Sequence, residues 1–162
     1  MDNIHTLAVE AMRAKGAADA AALAEKSVAG EADGTTLIAH EGEIPTWRQQ
    51  PYNTEATPVG KPYKWQDQVY KLLQQHDATE QPDWSPDQAV SLWDICHTTD
   101  PAQAREYVAP QGSRGLWQEQ ECCVWSGHVF QNQAADNAYG PAEMAERWTD
   151  LGTVEELQGG AE

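Results

Sequence analysis

Phenylalanine occurs once in 162 residues, and basic side chains are scarce: ten Lys and Arg stand against 26 Asp and Glu, a formal charge of -16. A surface of that sign repels a polymer of phosphates, so nucleic acid is not expected as a partner. No run approaches the roughly 18 apolar residues of a membrane span. The segment MDNIHTLAVEAMRAKGAADAA has no basic stretch followed by an apolar core, so no secretory signal is expected there. Three cysteines give no disulfide framework, and free thiols fit synthesis in the cytoplasm. The motifs of common catalysis are also missing: no Gly-rich phosphate loop, no Gly-x-Ser-x-Gly, no His-Glu-x-x-His. Cys96 and His97 are neighbours, which on a strand point to opposite faces and make a poor nucleophile–base pair. Cys122, Cys123 and His128 have no second pair to complete a zinc spacing, so no metal is expected. Glu119, Glu121 and Asp83 read as solvated charge. The expectation is a protein that is not an enzyme and holds no cofactor.

What is abundant is the polar aromatic: seven Trp and five Tyr. Both carry a hydrogen-bonding handle and suit half-exposed surfaces. The first 30 residues differ, with ten Ala and no aromatic ring. Ala is the strongest helix former, so a helix is expected over Asp2–Val28, with Ile4, Leu7, Ala11, Ala14, Ala18 and Ala21 on one stripe. Small side chains bury little area, so this helix needs a partner, either copies of itself (a trimer is favoured) or a larger protein. A second helix is expected over Thr36–Glu43 with a Thr cap, ended by Pro45, and a helical turn over Pro101–Tyr107.

After Ile44 the composition changes to Trp, Pro, Gly and Gln, and an internal repeat emerges. Trp65-Gln66-Asp67-Gln68-Val69-Tyr70 parallels Trp125-Ser126-Gly127-His128-Val129-Phe130. Trp84-Ser85-Pro86 parallels Tyr139-Gly140-Pro141, and seven residues separate each proline from a further Trp, Trp93 or Trp148. Strands are expected around Pro58–Tyr63, Gln68–Gln75, Gly115–Val124 and Val129–Ala134. The fold class is therefore α+β: a helical leader (1–44), a small antiparallel β module of two or three strands (45–97), a linker (98–106), a second such module (107–152) and an acidic tail (153–162). Trp93, Trp148, Tyr70 and Phe130 are assigned to packing.

Trp47, Tyr52, Val59-Gly60, Val69-Tyr70, Pro86 and Trp93 resemble the small chitinase-type carbohydrate-binding modules, and the stretch QVYKLLQQHDATEQPDWSPDQAVSLWDIC looks like versions found in tailed-bacteriophage virion proteins. The second copy has the usual Gly at Gly127, where the first has Asp67, but shows no evident counterpart of Trp47. The resemblance implies compact three-stranded units and a virion accessory protein (fibre, spike or capsid decoration), assembled in the host cytoplasm. Its N-terminal helices would dock on other virion proteins, and its modules would attach to host-surface glycan. Sugar rings stack on aromatic planes while their hydroxyls bond to polar rims. The glycan candidates are Trp84, Tyr139, Tyr63, Trp65 and Trp125, with Asp83, Gln75 and Asn137 as hydrogen-bonding neighbours; Gln74, Asn132 and Gln133 are further polar candidates. The alternatives are a cementing or spacer protein without glycan binding, or an accessory of a cell-wall- or chitin-degrading enzyme.

Overall fold

A computed structural model describes residues 2–159, with side chains from Leu7 onward. The side chain of Ile4 in the expected stripe and residues 160–162 of the expected tail lie outside what is described. The chain is α+β: one long helix is followed by short strands in three sheets. Helix α1 spans Asp2–Val28 and passes through Gly16 without interruption. At 27 residues it is about 40 Å long. Only its last turns touch the body of the protein, through Leu23 and Ser27, which are buried. Ser27 Oγ donates to Gly60 O at 2.6 Å. Leu7, Ala11, Ala14, Ala18 and Ala21 are exposed in the single chain.

Helix α2 spans Gly34–Ala39, starting earlier and ending sooner than expected, and a 3-10 turn follows at Glu41–Glu43. Its cap is Asp33 rather than a threonine: Asp33 Oδ1 accepts from Thr36 N at 2.9 Å. A carboxylate placed there satisfies one of the helix's free N–H groups and faces the positive end of its dipole.

The first β unit holds strands β1 (Pro51–Tyr52), β2 (Pro62–Trp65), β3 (Gln68–Leu72), β4 (His76–Asp77) and β5 (Trp93–Ile95). β3 lies between β2 and β5, all antiparallel, and β1 pairs separately with β4. The second unit holds β6 (Arg105–Glu106), β7 (Cys122–Trp125), β8 (His128–Asn132) and β9 (Trp148–Thr153). It has four strands where three were expected, because Arg105–Glu106 adds to β7 as a parallel edge. The helical turn expected over Pro101–Tyr107 is confined to Pro101–Gln103, since the chain must extend at Ala104 to join that edge.

Both central hairpins close through two residues with positive φ, Gln66 and Asp67 (48° and 64°) or Ser126 and Gly127 (52° and 79°). This mirror-image turn matches the right-handed twist of the strands. It sets the register Trp65↔Gln68 and Trp125↔His128, and the side-chain alternation follows from it. In the first unit Tyr63, Tyr70, Leu72 and Trp93 form an aromatic core with Trp47 and Tyr52. Tyr52, Tyr63 and Trp93 meet edge to face, with centroids 5.1–5.4 Å apart. Val69 points the other way, into Leu23, Leu37, Ile38 and Ile44 beneath the helices. In the second unit Trp117, Cys123 and Trp148 form the smaller aromatic core. Its opposite face, Val124 and Val129, is covered by helix α3 (Val154–Gln158), whose Val154 and Leu157 pack there. The segment expected as an acidic tail thus contributes a helix, because Thr153 and Glu156 form a reciprocal capping box and two apolar residues find a sheet to cover.

The expected linker is built into the body. Cys122 N donates to Thr98 O at 2.7 Å. Arg105 makes a two-pronged contact with Glu41 at 2.7 and 3.1 Å and donates to Asp67 O at 2.9 Å. Residues 108–115 return across the first unit: Val108 packs on its aromatic core, and Arg114 donates to Trp93 O at 2.7 Å and Pro86 O at 3.1 Å over the ring of Tyr70. His97 stacks flat on Trp117, with centroids 3.5 Å apart.

Candidate surface aromatic site

The same bonds recur in the two units and place their surface rings. Trp93 Nε1 donates to Trp84 O at 3.1 Å, and Trp148 Nε1 donates to Tyr139 O at 2.9 Å. Leu72↔Trp93 and Asn132↔Trp148 pair at the same point of their sheets. Leu73 N donates to Leu92 O and Gln133 N to Arg147 O, both at 2.8 Å. Each closing indole therefore grips the backbone of the loop aromatic from beneath. The rings of that loop stay at the surface, Trp84 37 % exposed and Tyr139 46 % exposed.

The repeat also supplies what sequence reading missed. Trp47 N donates to Lys64 O and Tyr107 N to Val124 O, each at 2.9 Å. Tyr107 is the counterpart of Trp47. Eighteen residues separate Trp47 from Trp65, and eighteen separate Tyr107 from Trp125, a signal present in the numbering but masked by the change of ring. The ring pairs match too: Trp47 meets Trp65 edge-on at 5.0 Å, and Tyr107 meets Trp125 edge-on at 6.0 Å.

Of the eight expected site residues, Trp84, Tyr139 and Trp125 carry exposed rings. Trp65 is half-buried and its Nε1 donates to Asp87 Oδ1 at 3.0 Å. Tyr63 is not available to a ligand: it is 2 % exposed, because the β2 register turns it into the core, and burial pushes its phenol well above its ordinary value. Asn137 is fully buried. Its Nδ2 donates to Asn132 Oδ1 at 2.8 Å and its Oδ1 accepts from Tyr139 N at 3.0 Å, so it shapes the loop beneath Tyr139 instead of meeting solvent. Asn132 is likewise buried and donates to Gln118 O and Ala134 O. Gln75 is exposed but spends its amide on Thr54 O and Thr57 O, at 3.1 and 3.0 Å. Gln74 donates to Ser91 O, and Gln133 to Gln131. Asp83 is exposed beside Trp84 in a 3-10 turn.

The surroundings of the two loop rings differ. Trp84 lies edge-on to His76 at 5.8 Å. Tyr139 has the guanidinium of Arg147 over its ring at 5.7 Å. A cleft of about 530 Å³ lies elsewhere, between α1 and the Ile44-Pro45 and Lys61-Pro62 corners, and none of the expected site residues lines it. All three cysteines are buried. Burial pushes their thiols up to about 12, 11 and 12 for Cys96, Cys122 and Cys123. Among the described residues no group of three or more His, Cys, Asp or Glu is arranged to hold a metal, and no helix is long and apolar enough to cross a membrane. Compared with known proteins, the chain matches no family model and no curated protein.

Proposed function

We propose that this chain is a non-enzymatic accessory protein of a tailed-phage virion, assembled in the host cytoplasm. In this reading two chitinase-type carbohydrate-binding-like modules face host-surface glycan, and the N-terminal helix engages other virion proteins or further copies of the chain, a trimer being favoured. One observation carries the glycan part: in both units the closing indole grips the carbonyl of a loop aromatic and leaves its ring at the surface. An anchored, half-exposed ring loses little freedom when a sugar stacks on it. The docking part is supported by α1, which between Leu7 and Val28 presents 16 residues to solvent, among them a stripe of small apolar side chains. A second reading, a spacer or cement without glycan binding, draws on the contacts of Arg105 with Asp67 O and of Arg114 with Trp93 O, which fix one unit against the other.

Titration of a glycan panel while following tryptophan fluorescence tests the binding part. A saturable change with at least one glycan is expected. A folded protein that responds to none favours the spacer. Size-exclusion chromatography with light scattering tests the helix: a trimer, or a monomer that trimerises on a virion partner, fits the reading, and a monomer indifferent to removal of residues 2–18 refutes it.

A further inference from the structure

The two units share a backbone plan but differ where their surface rings stand. Trp65 and Trp125 occupy the same place, the last residue before each hairpin turn. Trp65 is clamped. Its indole N–H is taken by Asp87, whose carboxylate is held in turn by Ser85 Oγ at 2.6 Å, and its ring lies against Trp47. In the second unit Gly140 and Ala142 stand where the first has Ser85 and Asp87, so the clamp cannot form. Trp125 is 39 % exposed, and its Nε1 donates to no protein acceptor among the described residues.

The same exchange admits Tyr107. A Cβ on Gly140 would sit 2.7 Å from Tyr107 Cζ and 2.9 Å from its hydroxyl oxygen, so only glycine lets that ring lie against the loop. Tyr107 thereby joins Trp125 on one side to the Tyr139-Gly140 backbone on the other. The second unit thus presents an exposed Trp125 against Tyr107, and an exposed Tyr139, with the Arg147 guanidinium over its ring, in the loop that Tyr107 abuts at Gly140. In the first unit the counterpart of Trp125, Trp65, is half-buried and its donor is in use, which leaves Trp84 as that unit's exposed ring.

We infer that the glycan site lies on the second unit alone, at the exposed rings of Trp125 and Tyr139 with Tyr107 packed against Trp125, and that it takes a neutral pyranose chain. This rests on the glycan reading above. The exposed rings of Trp125 and Tyr139 each offer a stacking plane for the C–H face of a sugar, and the free indole N–H of Trp125 is a donor for a ring hydroxyl. A formal charge of -16 opposes an anionic polysaccharide.

The test uses the full chain titrated with the N-acetylglucosamine tetramer, with polygalacturonate as the anionic comparison. Trp125→Ala and Tyr139→Ala are each expected to weaken tetramer binding tenfold or more. Trp84→Ala should change it less than twofold, the stoichiometry should be one per chain, and polygalacturonate should not bind. Circular dichroism of each variant checks that the fold is kept. Loss on Trp84→Ala with Trp125→Ala silent, or two sites per chain, overturns this assignment and leaves the glycan reading standing. No binding by the intact chain removes both. Independently of any ligand, Asp87→Ala should raise acrylamide quenching of tryptophan fluorescence by freeing Trp65. An unchanged quenching constant refutes the clamp.

Discussion

Removing Arg114 should loosen the first unit from a position twenty-one residues beyond its closing tryptophan. The guanidinium donates to two backbone carbonyls of that unit, Trp93 O and Pro86 O, and lies 5.7 Å over Tyr70. Each hydrogen bond from a charged donor to a buried acceptor contributes about 1.5–3 kcal/mol net. Burial holds the Arg114 pKa below its ordinary value, so part of that gain offsets the cost of desolvating the ion. Arg114→Ala should therefore cost about 2–4 kcal/mol, with both carbonyls left short of a partner. Arg114→Lys should recover less than half, because an ammonium group cannot reach two carbonyls in the planar fork that Arg uses. The assay is urea unfolding followed by tryptophan fluorescence and far-UV circular dichroism. Wild type should show one transition; Arg114→Ala should show an earlier midpoint, with the two signals separating as the first unit opens first. A midpoint unmoved by the substitution, equivalent to under 0.5 kcal/mol, would refute the claim that this side chain ties the units together.

Three further outcomes follow from the packing. Gly34→Ala drives a Cβ into His97 O, a backbone atom that cannot step aside; the expected cost is about 1–3 kcal/mol, read as a lower thermal midpoint, and a neutral substitution would show that α2 is free to shift. Cys96, Cys122 and Cys123 should resist a thiol reagent at pH 8 in the folded protein and react in denaturant, because buried thiols with pKa values near 12, 11 and 12 hold almost no thiolate; rapid reaction in the native state would contradict their placement. Asp33→Ala should cost about 1 kcal/mol at pH 7 through loss of the α2 cap. The hydrogen bond from Thr36 holds the Asp33 carboxyl below its ordinary value of 3.8, so its contribution is present above that pH and fades as pH falls through the lower folded value. The gap between wild type and variant should accordingly begin to close below pH 3.8 and narrow further as pH falls; a gap unchanged in acid would mean the charge is not what caps the helix.

The elements written into local sequence were readable. An Ala-rich run specified α1 to its observed ends, and the hairpins followed from the spacing of Trp65 and Trp125 to the strands beyond them. The fixed interval from proline to Trp93 or Trp148 marked the rings that close each core. The readings that failed were those decided by distant contacts. Tyr63 and Asn137 carry side chains that suit a sugar site equally well, and only the register of β2 and the buried pairing of Asn132 with Asn137 send them inward. Tyr107 was hidden because a tyrosine replaces a tryptophan. Arg105, Arg114 and His97 carry no local mark at all, since what they hold lies in the other unit. The aromatic surface of the second unit was half legible: Trp125 and Tyr139 are conspicuous, whereas the place of Tyr107 depends on Gly140, whose role appears only when that ring is seen against it.

The return of residues 108–115 over the first unit has a bearing on how the chain is made. A ribosome that has released residues 1–106 has delivered every strand of the first sheet but not Val108 or Arg114, which complete its surface. The earlier half must therefore wait for part of the later one, and the usual order, in which the N-terminal piece finishes before the next emerges, is suspended. Halves cut at residue 97 would not be two smaller proteins: the first would lack its lid, and the second would carry a strap with nothing to fasten.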